Sequence, residues 1–150
     1  MAEAIFVPVG DGRAVTLGPM GGGRLLAGDE ATGNTHAILE FTLNPGMPSP
    51  PHVHRLNQES VYVIDGEVEF ISGDRRERGT AGAFAHVPPG VPHSLNVMGE
   101  APARLLLVNS PAAEHLRVIA AFEKVFEGDP TDQQRMAQIF AGLDIEFLQG

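Results

Sequence analysis

The sequence predicts an all-β fold, a small barrel or sandwich of many short strands with a helical appendage at its C-terminal end. Three observations carry that expectation. Short apolar stretches, alternating or continuous, recur from Ile5 to Val108 and are divided by glycine and proline turns. After Ser110-Pro111 the apolar period becomes helical. The chain has 150 residues, 43 % hydrophobic and 19 % charged, which suits a single domain with one core.

Residues 1–34 read as N-terminal strands and Gly-rich loops of the same domain, with strand-like pieces at Ile5–Val9, Ala14–Leu17 and Arg24–Ala27. Gly21-Gly22-Gly23 lacks the Lys-Ser/Thr and the helix that a phosphate loop requires, so it is a loop between strands. Residues 35–110 form the barrel core. From Thr35 to Leu43 the chain alternates, with Ala37, Leu39, Phe41 and Leu43 on one apolar face and His36 on the other. Glu59–Ile71 reads as a hairpin about an Asp65-Gly66 type I′ turn, pairing Val63 with Val68 and Val61 with Phe70. Glu59 then shares a face with Val61, Val63, Val68 and Phe70, while Tyr62 lies on the other. Gly73–Gly79 is a polar turn carrying Arg75, Arg76 and Arg78 at a solvated tip. Ala83–Val87 and His93–Met98 are strands around Pro88-Pro89-Gly90, and Arg104–Val108 is a strand buried on both sides. Residues 111–150 give a helix from about Ala113 to Glu127, with Leu116, Ile119, Ala120, Phe122, Val125 and Phe126 inward and His115 on the surface. A second helix follows, capped by Asp129 ahead of Pro130, and the tail Leu143–Leu148 has strand character.

Charge and composition exclude several classes. A net charge of −9 leaves no basic stripe for nucleic acid. The chain has no cysteine, hence no disulfide framework and no thiolate nucleophile. No apolar run approaches the ~20 residues that span a bilayer, and the start lacks a basic, apolar leader. A cytoplasmic protein is expected, acting on a small molecule rather than on nucleic acid or membrane. Lys124 is the single lysine and lies in the helical part, which argues against Schiff-base chemistry at the barrel.

Gly46–Gly66 concentrates the chemistry. His52 and His54 are two residues apart on an extended segment, so both imidazoles face one side and meet on one ion. Glu59 is at odd spacing from both, so Arg55-Leu-Asn-Gln58 must break the strand and Glu59 must open a new one. His93, in Pro88-Pro-Gly-Val-Pro-His93, is the next candidate ligand.

Gly46-(five)-His52-Val-His54-(four)-Glu59-(six)-Gly66 resembles the first motif of the cupins at every defined position. Gly82-(five)-Pro88-Pro-Gly90-(two)-His93 resembles their second motif up to its histidine. The two are separated by the 15 residues Glu67 to Ala81, like the compact bacterial single-domain cupins, and the tail is similar to that of quercetin dioxygenase-like members. The resemblance covers about a third of the chain, Gly46 to Asn96. It departs at one place: the family's asparagine four residues after the histidine is Val97 here, and Asn96 is one residue early, on the opposite side of a regular strand.

The resemblance implies a cupin jelly-roll barrel with His52, His54, Glu59 and His93 as metal ligands. Three neutral nitrogens and a carboxylate suit a divalent transition metal (Fe, Mn, Ni, Co, Cu or Zn) without choosing among them. Glu59 would also be the proton acceptor, the one catalytic side chain, in a pocket walled by Val61, Val63, Val68, Phe70, Leu95 and Val97. The leading expectation is a quercetinase-like oxygenase acting on an aromatic or enol-containing small molecule together with dioxygen. Non-redox isomerase, cyclase or lyase chemistry, and non-catalytic small-molecule or metal binding, stay open. A homodimer is expected from the same resemblance. His36 and His86 have no assigned role, and His86 reads as a hydrogen-bonded structural residue.

Overall fold

The computed structural model describes residues 3–47 and 49–148. Eleven strands run β1 (Arg13–Thr16), β2 (Gly21–Ala27), β3 (Ala37–Leu43), β4 (His52–Val53), β5 (Gln58–Asp65), β6 (Val68–Ser72), β7 (Arg75–Gly79), β8 (Phe84–Val87), β9 (Ser94–Val97), β10 (Ala103–Ser110) and β11 (Glu146–Phe147). The helices are α1 (Asp29–Thr32), α2 (Ala112–Val125) and α3 (Gln133–Phe140). A six-stranded antiparallel sheet, ordered β1-β2-β3-β10-β5-β8, packs on a three-stranded sheet β7-β6-β9. A short pair, β11-β4, stands at one end. This is the mostly β jelly-roll layout with C-terminal helices that the sequence predicts. No helix among the described residues is long and apolar enough to cross a membrane.

Alternation builds the core. Ala37, Leu39 and Phe41 of β3 turn inward and pack with Val15, Leu17, Ala112 and Ile119, so α2 lies over the β1–β3 end of the large sheet. Val61, Val63, Val68, Ala103 and Leu105 pack between the two sheets, with Leu95 and Val97 against them. Ala121, Val125 and Phe140 join α2 to α3, and Ile145 and Phe147 of the tail rest on that cluster.

Several expectations are corrected. Glu59–Ile71 is not a hairpin: β5 pairs with β10 and β8, whereas β6 pairs with β7 and β9. Asp65-Gly66 is the crossing between sheets, and only Gly66 has positive φ there, so the turn is not type I′. Gly66 is needed at this crossing, because a Cβ would lie 2.7 Å from Ala103 Cα. Val61, Val63, Val68 and Phe70 still point into one interior, because the two sheets face one another rather than because they pair. The two-residue hairpin turn in this region is Gly73-Asp74, closed by Ser72 opposite Arg75. Arg75, Arg76 and Arg78 therefore lie on a strand, beside Glu77, Glu69 and Glu67.

At the N-terminal end, Gly21-Gly22-Gly23 is not a loop but the start of β2, paired with β3, while Ile5–Val9 forms no strand, and Phe6 and Val9 are exposed. The second helix begins later than expected and is capped by the Asp132 side chain, which accepts from Arg135 N, while Asp129 instead binds Thr131. On α2 the buried stripe is Ala112, His115, Val118, Ile119, Ala121 and Val125. Ala120 is exposed and His115 is buried, the reverse of the expectation for both.

Candidate metal centre

His52 and His93 are held opposite each other by the backbone itself. His52 N donates to His93 O at 3.1 Å and His93 N donates to His52 O at 3.0 Å. Partners in such a bridge put their side chains on one face, and the two rings lie 4.3 Å apart between centroids. His54 follows two residues after His52, its ring 4.9 Å from that of His52 and 5.6 Å from that of His93. One ring nitrogen from each of the three histidines falls in a group whose members all lie within 4.8 Å of one another.

The other ring nitrogens set the tautomers. Nδ1 of His52, His54 and His93 lies 2.8, 2.6 and 3.0 Å from the carbonyl oxygens of Pro50, Asp144 and Val91. A carbonyl accepts only, so each Nδ1 carries the proton and each Nε2 is turned toward the common centre. Carbonyls that lock imidazoles in this way are the usual outer support of metal-binding histidines.

The strand break expected after His54 is real, with β5 starting at Gln58. Its free backbone donors are met by a residue far along the chain: Asp144 accepts from the N–H groups of Arg55, Leu56 and Asn57 at 2.8, 3.0 and 2.8 Å. Since Asp144 O also holds His54, the C-terminal tail shapes both the break and the ligand before it. β11 adds a second clamp by pairing Phe147 with His52.

Glu59, the second residue of β5, faces inward, its side chain 12 % exposed. Oε2 lies 3.0 Å from His93 Nε2, and Oε1 accepts from Asn109 Nδ2 at 3.1 Å. It stands beside the three-histidine group and touches it through His93. Burial alone would raise its carboxyl, but the His93 hydrogen bond and charge, then His115 and Asn109, hold it well below the usual carboxylate range. His93 moves the opposite way: burial lowers it, and the Glu59 hydrogen bond and charge raise it above its ordinary value. Burial and the His93 charge lower His52 to about 4. The centre thus favours one shared proton between His93 and Glu59, a place that a cation among the three nitrogens would take over.

His115 completes the cluster from α2. Its ring centroid is 6.2 Å from that of His54, it is 3 % exposed, and Nδ1 meets Asn109 Nδ2 at 2.9 Å. Burial lowers it to about 4, so the ring is neutral near pH 7. The sequence held a signal for it: His115 is three residues after Ala112 and four before Ile119, on the apolar stripe of the helix. Asn109 carries a weaker signal, as the first uncharged polar side chain after the apolar run of β10.

A cavity of about 130 Å³ adjoins the histidines. Its wall includes Val61, Phe70 and Leu95 of the expected pocket, together with Phe41, Leu107 and Phe122 from β3, β10 and α2. Val63 and Val68 line a separate cavity toward Arg75, Arg78 and His86, and Val97 packs in the core between the sheets. Tyr62 is 46 % exposed on the outer face, and His86 is on that face too, its Nδ1 2.9 Å from Ser60 Oγ. Asn96 pairs with Glu69 and lies on the opposite face from Leu95, and His36 is exposed beside Thr35.

Three convergent imidazole nitrogens and an adjacent carboxylate fit a divalent transition metal by donor chemistry, without selecting its identity. The fold and this donor set together define a class, and comparison with known proteins agrees. Residues 39–109, a little under half of the chain, match the cupin domain family, and the jelly-roll layout agrees with that match. The chain is 25 % identical over 130 residues to quercetin 2,3-dioxygenase of Bacillus subtilis (strain 168), covering 83 % of this chain but only 39 % of that enzyme. Among solved structures, KdgF from Halomonas sp. superposes with a TM-score of 0.64 at 16 % identity, over 75 % of this chain and 99 % of that one. The polyketide cyclase RemF from Streptomyces resistomycificus gives 0.61 at 24 % identity, over 73 % and 80 %. These structural likenesses establish the fold.

Proposed function

We propose that the protein is a metal-dependent oxygenase for a small, weakly polar aromatic or enol-containing molecule, with His52, His54, His93 and Glu59 as metal ligands. The observation that carries this reading is the cavity beside the three histidines, whose remaining wall is almost wholly apolar. No lysine or arginine is found among its described lining residues, which disfavours phosphate-bearing sugars. Its volume of about 130 Å³ is below the roughly 300–1,000 Å³ of pockets for drug-sized ligands, so a single-ring substrate is favoured over a three-ring flavonol.

The bound metal would supply the Lewis acidity and redox capacity that bring a substrate oxygen and dioxygen together. The chain supplies the rest. His52, His54 and His93 hold the ion through oriented nitrogens, and the apolar wall excludes water. Glu59, adjacent to the ligand nitrogens, takes the proton lost by a substrate hydroxyl at a carboxylate oxygen. The similarity to a quercetin dioxygenase, limited to part of that enzyme, supports oxygen chemistry over the alternatives. The reading carries with it a homodimer working in the cytoplasm, which sedimentation of the purified protein checks.

Elemental analysis and oxygen uptake test the proposal together. Wild type should retain one transition metal per chain, and His93→Ala should lose at least ten-fold in metal affinity. Uptake is then followed with Fe, Mn, Ni, Co and Cu forms against phenols, catechols and enols. Turnover without oxygen uptake would establish isomerase, cyclase or lyase chemistry instead. Binding with no turnover would reduce the protein to a ligand- or metal-binding cupin.

A further inference from the structure

Asn109 and His115 lie outside both histidine-bearing motifs, yet a continuous run of side-chain hydrogen bonds ties them to Glu59. Asn109 is near the end of β10, directly opposite Glu59 of β5 in the sheet register. Its Nδ2 donates to Glu59 Oε1 at 3.1 Å and to His115 Nδ1 at 2.9 Å. An amide nitrogen has two hydrogens, so both bonds form at once. The carboxylate accepts only, which fixes the amide with its nitrogen toward Glu59. His115 Nδ1 is then an acceptor, and its ring is neutral with the proton on Nε2. Asn109 is 0 % exposed and His115 3 %, so bulk water does not compete for these bonds.

We propose that Asn109 and His115 are positioning residues that commit Glu59 to one orientation, with Oε1 tied to Asn109 and Oε2 alone presented to His93 and the metal position. This rests on the reading of Glu59 as a ligand. Glu59 then offers one oxygen and withholds the other, which keeps a coordination position free for substrate. His115 gives the second amide hydrogen a buried acceptor, so the amide nitrogen faces Glu59 without leaving an orphaned N–H. A flipped Asn109 would set its oxygen against the Glu59 carboxylate, an acceptor–acceptor contact in a buried place.

Infrared difference spectroscopy on Zn(II)-loaded protein labelled with ¹³C-carboxyl glutamate tests this. The separation of the symmetric and antisymmetric carboxylate stretches distinguishes one-oxygen from two-oxygen ligation, and the Glu59 band is the one absent from Glu59→Gln. Wild type should show the wide separation of one-oxygen ligation. His115→Phe removes the acceptor and should narrow it or add a second, narrower pair of bands. His115→Asn places an amide oxygen where Nδ1 was and should retain the wild-type bands. Asn109→Leu should narrow the separation most, and the His115 pair carries the test if that fully buried substitution does not fold. Zn content is measured on the same samples. A separation unchanged in His115→Phe, or narrowed equally in His115→Asn and His115→Phe, overturns the positioning role while leaving Glu59 a ligand. A wild-type spectrum in which Zn(II) moves no Glu59 band overturns the inference together with the ligand set.

Discussion

Nδ1 of His52, His54 and His93 donates to a backbone carbonyl, whereas Nδ1 of His115 on α2 accepts from the Asn109 amide. The first arrangement turns three Nε2 atoms toward one point; the second leaves an N–H on the far side of the ring. All four rings sit within one cluster, so residue type and burial do not separate them. The hydrogen bond at the second ring nitrogen does. The two groups also differ in what holds them. His52 and His93 lean on carbonyls two residues earlier in their own loops, while His54 and His115 depend on residues 90 and 6 positions away.

The largest expected effect attacks the long-range support of His54. Asp144→Ala removes the carboxylate that accepts from Arg55, Leu56 and Asn57 N–H, of which Asn57 is 2 % exposed. Orphaned buried donors to a charged acceptor should cost about 4 kcal/mol in unfolding free energy. The backbone carbonyl of residue 144 that orients His54 is retained, so metal affinity should fall only through loosening of the tail that carries it, by about 10-fold. Urea denaturation and competitive chelation measure the two. Unchanged metal affinity in a destabilised variant would show that the motif loops orient His54 without the tail.

Acid sensitivity separates the histidines next. His115 is lowered from 6.5 to about 4, so between those values the unfolded chain binds a proton that the folded one refuses. Stability therefore falls as pH drops through that window, by up to about 3 kcal/mol for this group. His52, also lowered to about 4, acts in the same direction. His93 is raised, so its contribution is present below 6.5 and is lost as pH rises through its folded value. Urea unfolding in chelator at pH 7 and pH 4.5 should give a clearly shallower pH dependence for His115→Phe than for wild type. Equal slopes would mean that His115 is not the buried neutral ring described here.

Much of the fold was legible because alternation is a local signal. The β3 face of Ala37, Leu39 and Phe41, the break before β5 and the switch to helix after Ser110-Pro111 are all written within a few residues. The same holds for His52, His54 and His93, which sit on turn-rich segments of recognisable spacing. Pairing was not legible. Asp65-Gly66 looks like a hairpin turn, yet β5 finds a better partner in β10, forty residues on, and the local cue cannot report that competition. Asp144, Asn109 and His115 were missed for the same reason, since each acts on the centre through contacts that exist only after the tail and α2 have docked. His115 was nearest to being found. Its place on the stripe with Ala112 and Ile119 argues for burial, against a rule that puts histidine outside.

The smallest expected effect comes from a histidine that shares only its residue type with the other four. His86 is exposed on β8, opposite Ser60 in the register, with Nδ1 2.9 Å from Ser60 Oγ. β8 pairs with β5, so His86 is only one strand away from Glu59, but the pleat turns it outward while Val87, opposite Glu59, turns inward. A single exposed hydrogen bond contributes about 0.5–1 kcal/mol, and water replaces it readily. His86→Ala should therefore lower unfolding free energy by no more than about 1 kcal/mol and leave metal content at the wild-type value. Loss of metal from this variant would mean that the outer face of β8 communicates with the centre through β5. Retention of metal here, beside its loss in Asp144→Ala, would place the support of the centre on the tail rather than on the neighbouring strand.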